Sequence, residues 1–167
     1  FPSDQYIYEA RAAHGAKLIR VPAASDGIST DGEQFAAHID ESTLVVAIDH
    51  VMFRSSAIVD VAPIVEKANK VGAFVILDTF HSVGTQQLDL EKAGVHAAVG
   101  GALKWLCGGP GNCFLYVRPD LISSLTPAFT GWAAHKQPFL FSPDGQDYRE
   151  DGHRFATGTP SVPALYS

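Results

Sequence analysis

Lys104 stands in "GGALKWLCGGPGN", a single cationic side chain between apolar neighbours and a glycine-rich turn. Burial disfavours the charged form of an amine, so a lysine partly withdrawn from water becomes a nucleophile or a Schiff-base partner for a carbonyl. Lysine is seldom fully buried, and the plain alternative is a chain rising to the surface at a strand end. Asp78, 26 residues earlier, closes the apolar run "AFVILD", with His81 three residues on. A carboxylate fixed at the low-dielectric end of such a run would hold a cationic nitrogen strongly. Its ordinary role would be to cap the segment that follows.

These residues depend on the elements that carry them. "QYIYEARAAHG" predicts a helix ending at Gly15, "AKLIRVP" a short strand stopped by Pro22, and "EQFAAHI" a helix. "STLVVAIDHV" and "AFVILDTF" are continuous apolar runs of the kind that form strands covered on both faces. Between them, "DVAPIVEKANKVG" predicts a helix with Asp60 as N-cap, Pro63 in its first turn and Gly72 past its end. "VHAAVGGAL" and "CFLYVRP" follow as strands and "PDLISSL" as a short helix. Alternation of this sort predicts an α/β fold, a three-layer α/β/α arrangement around a mainly parallel sheet. Ligands of such sheets sit at the carboxyl ends of the strands, where Asp78 and Lys104 fall. Beyond Pro127 the Pro-, Gly- and aromatic-rich "AFTGWAAHKQPFLFSPDG" predicts a long functional or mobile loop.

With 167 residues, 46% hydrophobic and 18% charged, the chain can bury a core as one domain. A net charge of −6 without a basic run excludes an electrostatic footprint for nucleic acid or an anionic membrane. No apolar stretch approaches the length of a membrane span and no leader precedes Phe1, so a cytoplasmic protein is expected. Cys107 and Cys113 lack zinc-site spacing; no metal is expected, and they are read as free packing thiols, with Cys107 a candidate to line a pocket. The chain starts at "FPSDQYIYEA" without Met and stops at "SVPALYS", as a piece of a longer protein would.

A lysine that forms an imine, an Asp that keeps a pyridine nitrogen protonated and a flat side chain against the ring are the requirements of a pyridoxal phosphate site. The sequence resembles the class V aminotransferase family of fold-type I pyridoxal phosphate enzymes, and within it the kynureninases. "FPSDQY" is similar to a cofactor-contacting segment, implying that Phe1 stacks on the ring and that Asp4 belongs to the site. "LDTFHSVG" resembles an Asp-x-x-His-x-x-Gly block, implying Asp78 on the pyridine nitrogen and His81 beside the ring. "ALKWLCGGPG" resembles the lysine block, making Lys104 the Schiff-base residue. "GWAAH" brings in Trp132 and His135, and "RFATGTP" resembles a segment that reaches the phosphate of the neighbouring subunit, here through Thr159.

The resemblance implies that residues 1–167 are a partial large, cofactor-binding domain, in a homodimer with shared sites. The upstream phosphate loop, a downstream substrate-binding Arg and the C-terminal small domain would lie outside it. It implies an amino acid substrate and kynureninase-like hydrolysis of a β–γ carbon bond, with transamination or cysteine-desulfurase-like chemistry as alternatives. Three departures bear on the reaction: Leu103 where kynureninases have Tyr, Asp49 followed by His50 where a small residue is usual, and Thr159 in place of Asn. Apart from the resemblance, Trp132 reads as a packing residue, His50 and His135 as polar loop residues, and Phe1 as a fraying end. A nucleotide-binding module fits poorly, because "GGPGN" lacks the Gly-Lys-Ser/Thr ending of a phosphate loop. A non-catalytic relative that uses the fold for assembly is the remaining alternative.

Overall fold

A computed structural model describes residues Phe1–Tyr166. In chain order the elements are α1 (Pro2–Ala12), α2 (Gly32–Ala36), β1 (Val45–Asp49), α3 (Ala62–Val71), β2 (Phe74–Asp78), α4 (Leu90–Ala93), β3 (Ala97–Gly101), β4 (Cys113–Val117) and α5 (Val162–Leu165). The strands form one sheet in the order β1-β2-β3-β4, with β1, β2 and β3 parallel and β4 antiparallel to β3. This is the mainly parallel α/β sheet the sequence predicts.

The core lies on one face of the sheet. Alternation along β1 and β2 turns Val46, Ile48, Val75 and Leu77 to the same side, where they meet Ile64, Val65 and Ala68 of α3. Helix α3 is built for that contact. Pro63 sits in its first turn, its apolar residues recur at helical spacing, and Gly72 closes it in the left-handed conformation at φ 78°. Its N-cap is Val61 rather than Asp60, although the Asp60 carboxylate still accepts the Ala62 N–H at 3.0 Å. Asp49 and Asp78 alternate to the opposite face, and the start of α1 reaches them there. Helices therefore lie on both sides of the sheet.

Several local expectations are corrected. "AKLIRVP" is not a strand: among the described residues it pairs with neither edge strand of the sheet, β1 or β4. Its Arg20 instead turns back onto α1, to Gln5 at 3.0 Å and to Glu9. The first helix begins at Pro2 and ends at Ala12, before Gly15. "PDLISSL" supplies only the 3-10 turn Pro119–Leu121. Cys107 and Cys113 are exposed free thiols rather than packing residues. The segment after Pro127 is held by the 3-10 turns Trp132–Ala134, Pro138–Leu140 and Gly152–Phe155 and by a His135–Tyr148 bridge. No helix among the described residues is long and apolar enough to cross a membrane.

Candidate active site

Strand register builds the floor of the site. Asp49 and Asp78 are direct Cα partners at the carboxyl ends of β1 and β2, so two acids stand side by side. Asp4 comes in from the first turn of α1, and one oxygen of each carboxylate lies within 4.8 Å of the others. The Phe1 nitrogen donates to both Asp49 oxygens, at 3.3 and 3.0 Å. Asp78 Oδ1 accepts the Phe80 N–H at 2.8 Å, which fixes its rotamer. Partial burial and the neighbouring Asp49 and Asp4 charges push the Asp78 carboxyl up to about 6, while the Phe80 N–H acts against them. Asp4 Oδ2 is buried and lies 3.5 Å from the Phe1 nitrogen. Converging acceptors of this kind are suited to a protonated nitrogen between them.

Lys104 approaches from the other side of the site. Its Nζ lies 2.8 Å from His81 Nε2. An ammonium only donates, so Nε2 accepts and the imidazole proton sits on Nδ1. Burial and the Lys104 charge both lower the His81 pKa and keep the ring neutral. The Lys104 amine also stands 5.6 Å from the Phe1 ring centroid and 5.4 Å from that of Phe80. Phe53, in the turn that follows β1, meets Phe1 edge-on at 5.1 Å and stacks over His81 at 6.5 Å. The amine thus lies near the aromatic rings of Phe1 and Phe80.

Glycines permit these approaches. A Cβ at Gly101 would lie 2.5 Å from the Phe80 ring, and one at Gly84, where φ is +90°, would lie 2.8 Å from the Trp105 carbonyl. The turn after His81 therefore packs directly on the backbone next to Lys104. Beyond the lysine, the Cys107 N–H donates to the Lys104 carbonyl at 3.1 Å, with Cys107 itself at φ 59°.

Phe1, Asp4, Asp78, His81 and Lys104 are brought together; Trp132 and Thr159 stand elsewhere. Trp132 packs with Phe139 and Phe141 at 5.7 and 5.6 Å, and its indole nitrogen lies 3.6 Å from where a Gly158 Cβ would be. Thr159 is exposed next to it. The "GWAAH" and "RFATGTP" segments thus form a second cluster. His135 is a turn residue whose Nδ1 accepts the Gln137 N–H at 2.9 Å. His50 is not a surface loop residue: it is buried at the end of β1, and burial lowers its pKa. The Phe1 ring, expected to fray, is exposed on one side and meets Phe53 edge-on. Sequence reasoning missed Phe53 and Phe80, whose only signal was an aromatic just after each strand-ending acid.

Fold and site together define an open α/β protein with a lysine set opposite an acid at the carboxyl ends of parallel strands. The chain belongs to the aminotransferase class-V family, whose model matches residues 5–167. It is 30% identical over its whole length to the uncharacterized aminotransferase YcbU of Bacillus subtilis, and covers 43% of that protein. It is 31% identical over 149 residues to the kynureninase of Pseudomonas fluorescens, covering 86% of this chain and 33% of the enzyme. Among solved structures, the cystine C-S lyase C-DES superposes with a TM-score of 0.85 at 23% identity, over 98% of this chain and 44% of that one. The cysteine desulfurase of Thermococcus onnurineus NA1 gives 0.83 at 24% identity, over 97% and 40%. The chain spans less than half the length of these relatives.

Proposed function

We propose that the protein is a pyridoxal phosphate-dependent enzyme acting on an amino acid, with Lys104 holding the cofactor as an imine and Asp78 facing its ring nitrogen. The observation that carries this reading is the placement of Asp78, beside Asp49 and Asp4, at the end of β2 and of Lys104, 2.8 Å from His81, just after the neighbouring parallel strand β3. The donor set fits the group: an amine for its aldehyde, acids for a pyridinium and flat rings for its faces. When bound, the cofactor supplies an electron sink for carbanion chemistry at the substrate α-carbon. Asp78, supported by Asp4, holds the proton on the ring nitrogen. His81, kept neutral, accepts a hydrogen bond from the Lys104 amine and holds it in position. Lys104 would hold the cofactor and, with substrate bound, would move a proton at the substrate α-carbon. Phe1 and Phe53 would supply flat surface along one side.

For the reaction, hydrolysis of the β–γ carbon bond of a kynurenine-type substrate is preferred, supported by the "FPSD" and "GWAAH" segments and the kynureninase relatives. Transamination or cysteine-desulfurase-like chemistry is the second reading, because Leu103 replaces the tyrosine that kynureninases place before the lysine. The protein acts as a homodimer in which Trp132 and Thr159 serve the partner's cofactor. The second cluster they form, apart from Lys104, supports this. Its two free, exposed thiols suit the cytoplasm. Incubating the full-length, cofactor-loaded protein with kynurenine tests the reaction. Release of alanine supports hydrolysis, and a keto acid product supports transamination. Turnover of no amino acid in a broad screen refutes the proposal.

A further inference from the structure

The floor of the site holds one carboxylate that the reading above does not use. Asp49 closes β1 as Asp78 closes β2, and the two are Cα partners in parallel strands. Register partners point to the same face of a sheet, so the two carboxylates are held side by side. The Asp49 side chain is only 13% exposed, and one of its oxygens lies within 4.8 Å of an oxygen of Asp78 and of Asp4. Its charge also acts on His81, the residue that holds the Lys104 amine.

A half-buried acid set against another acid is unfavourable by itself, because each negative charge raises the cost of the other. Asp78 bears that cost: burial raises its pKa first, and the Asp49 and Asp4 charges add to it against the Phe80 N–H. The fold does not need the charge at residue 49. Asp49 caps none of the helices, and among the described residues its carboxylate accepts only from the Phe1 nitrogen. The Lys104 amine is taken up by His81 and pairs with none of the three acids among the described residues. A neutral side chain of the same size would pack as well. Added negative charge beside an acceptor strengthens its hold on a cationic N–H group.

We propose that Asp49 is a positioning residue for the cofactor's ring nitrogen: its charge adds to that of Asp78 and keeps the proton on that nitrogen. This rests on the pyridoxal phosphate reading above. Asp78 faces the nitrogen, Asp4 supports it from α1 and Asp49 supports it from β1. The other titratable groups around this cluster are Tyr8 and the Phe1 nitrogen on its α1 side, with His81 and Lys104 across the site.

NMR of the full-length protein, loaded with pyridoxal phosphate that carries an isotope-labelled ring nitrogen, tests this across pH in the wild type and in Asp49→Asn, Asp49→Ser and Asp49→Glu. Removing one charge at this range predicts that the ring nitrogen of the Asn and Ser variants loses its proton about one pH unit lower, a roughly tenfold drop in proton affinity. Asp49→Glu should restore most of it. Affinity for pyridoxal phosphate at neutral pH should fall by about tenfold in the two neutral variants. Affinity for the analogue with carbon in place of the ring nitrogen should not fall. An unchanged ring titration in the neutral variants overturns this proposal alone. So does an equal loss of affinity for cofactor and analogue, which is what a merely structural Asp49 gives. A wild type that forms no imine with pyridoxal phosphate overturns the pyridoxal phosphate reading and this proposal together.

Discussion

Replacing Asp78 by Asn should stabilise the ligand-free fold at neutral pH and remove most activity from the loaded enzyme. The side chain keeps its acceptor oxygen for the Phe80 N–H, so the bond at 2.8 Å survives and only the charge is lost. The Asp78 pKa is raised from 3.8 to about 6, chiefly by burial and then by the Asp49 and Asp4 charges. A carboxyl whose folded pKa lies above its unfolded one contributes stability that is fully present below the unfolded value and lost as pH rises through the folded one. At pH 8 the ionised Asp78 is therefore unfavourable and Asn is not. One pKa unit corresponds to ~1.4 kcal/mol, and discounting for solvent screening of a partly exposed group leaves ~1–2 kcal/mol. For a chain of this size that is roughly 2–8 °C in Tm. Thermal unfolding of ligand-free wild type and variant at pH 4, 6 and 8 reads it: the gap should be largest at pH 8 and close towards pH 4. Turnover should fall by about a thousandfold, ~4 kcal/mol in the barrier. A variant that is less stable than wild type at pH 8, a gap independent of pH, or near-normal turnover would refute the reasoning.

Three further outcomes follow from the packing and from the second cluster. Gly84→Ala should destabilise the protein by about 1–3 kcal/mol in denaturant unfolding, because a Cβ there meets the Trp105 backbone at a positive φ. Ile64→Ala, at a site with no exposure between α3 and the sheet, should cost ~2–5 kcal/mol in the same measurement. Thr159→Ala should weaken cofactor retention without changing the reactivity of Lys104. Mixing it with Lys104→Ala should restore part of the activity through hybrid dimers, whereas confirmed subunit exchange without recovery would exclude a shared site.

Local pattern made much of the fold legible. The continuous apolar runs became β1 and β2, the helical spacing before Gly72 became α3, and the alternation of the two predicted a mainly parallel sheet. What failed depended on distant partners. Residues 16–22 have a strand-like composition, but the segment is tied to α1 through Arg20 and does not pair with the edge of β1. The cysteines flank strand-like and apolar residues, yet both lie on exposed backbone. In the site, Asp78, His81 and Lys104 were readable because each closes or follows a strand. Asp49 was noticed only as a departure, because its contact with Asp78 is a matter of register between strands 29 residues apart in sequence. Phe53 was not readable, since backbone hydrogen bonds and the positive φ of Ser56 shape the turn that carries it.

The central claim is that Lys104 carries the cofactor. Borohydride reduction of the full-length, pyridoxal phosphate-loaded protein, followed by digestion and peptide mapping, tests it most directly. The account predicts one stable pyridoxyl label, on Lys104 in the peptide containing "GGALKWLCGG". A label on any other lysine, or none, would contradict it.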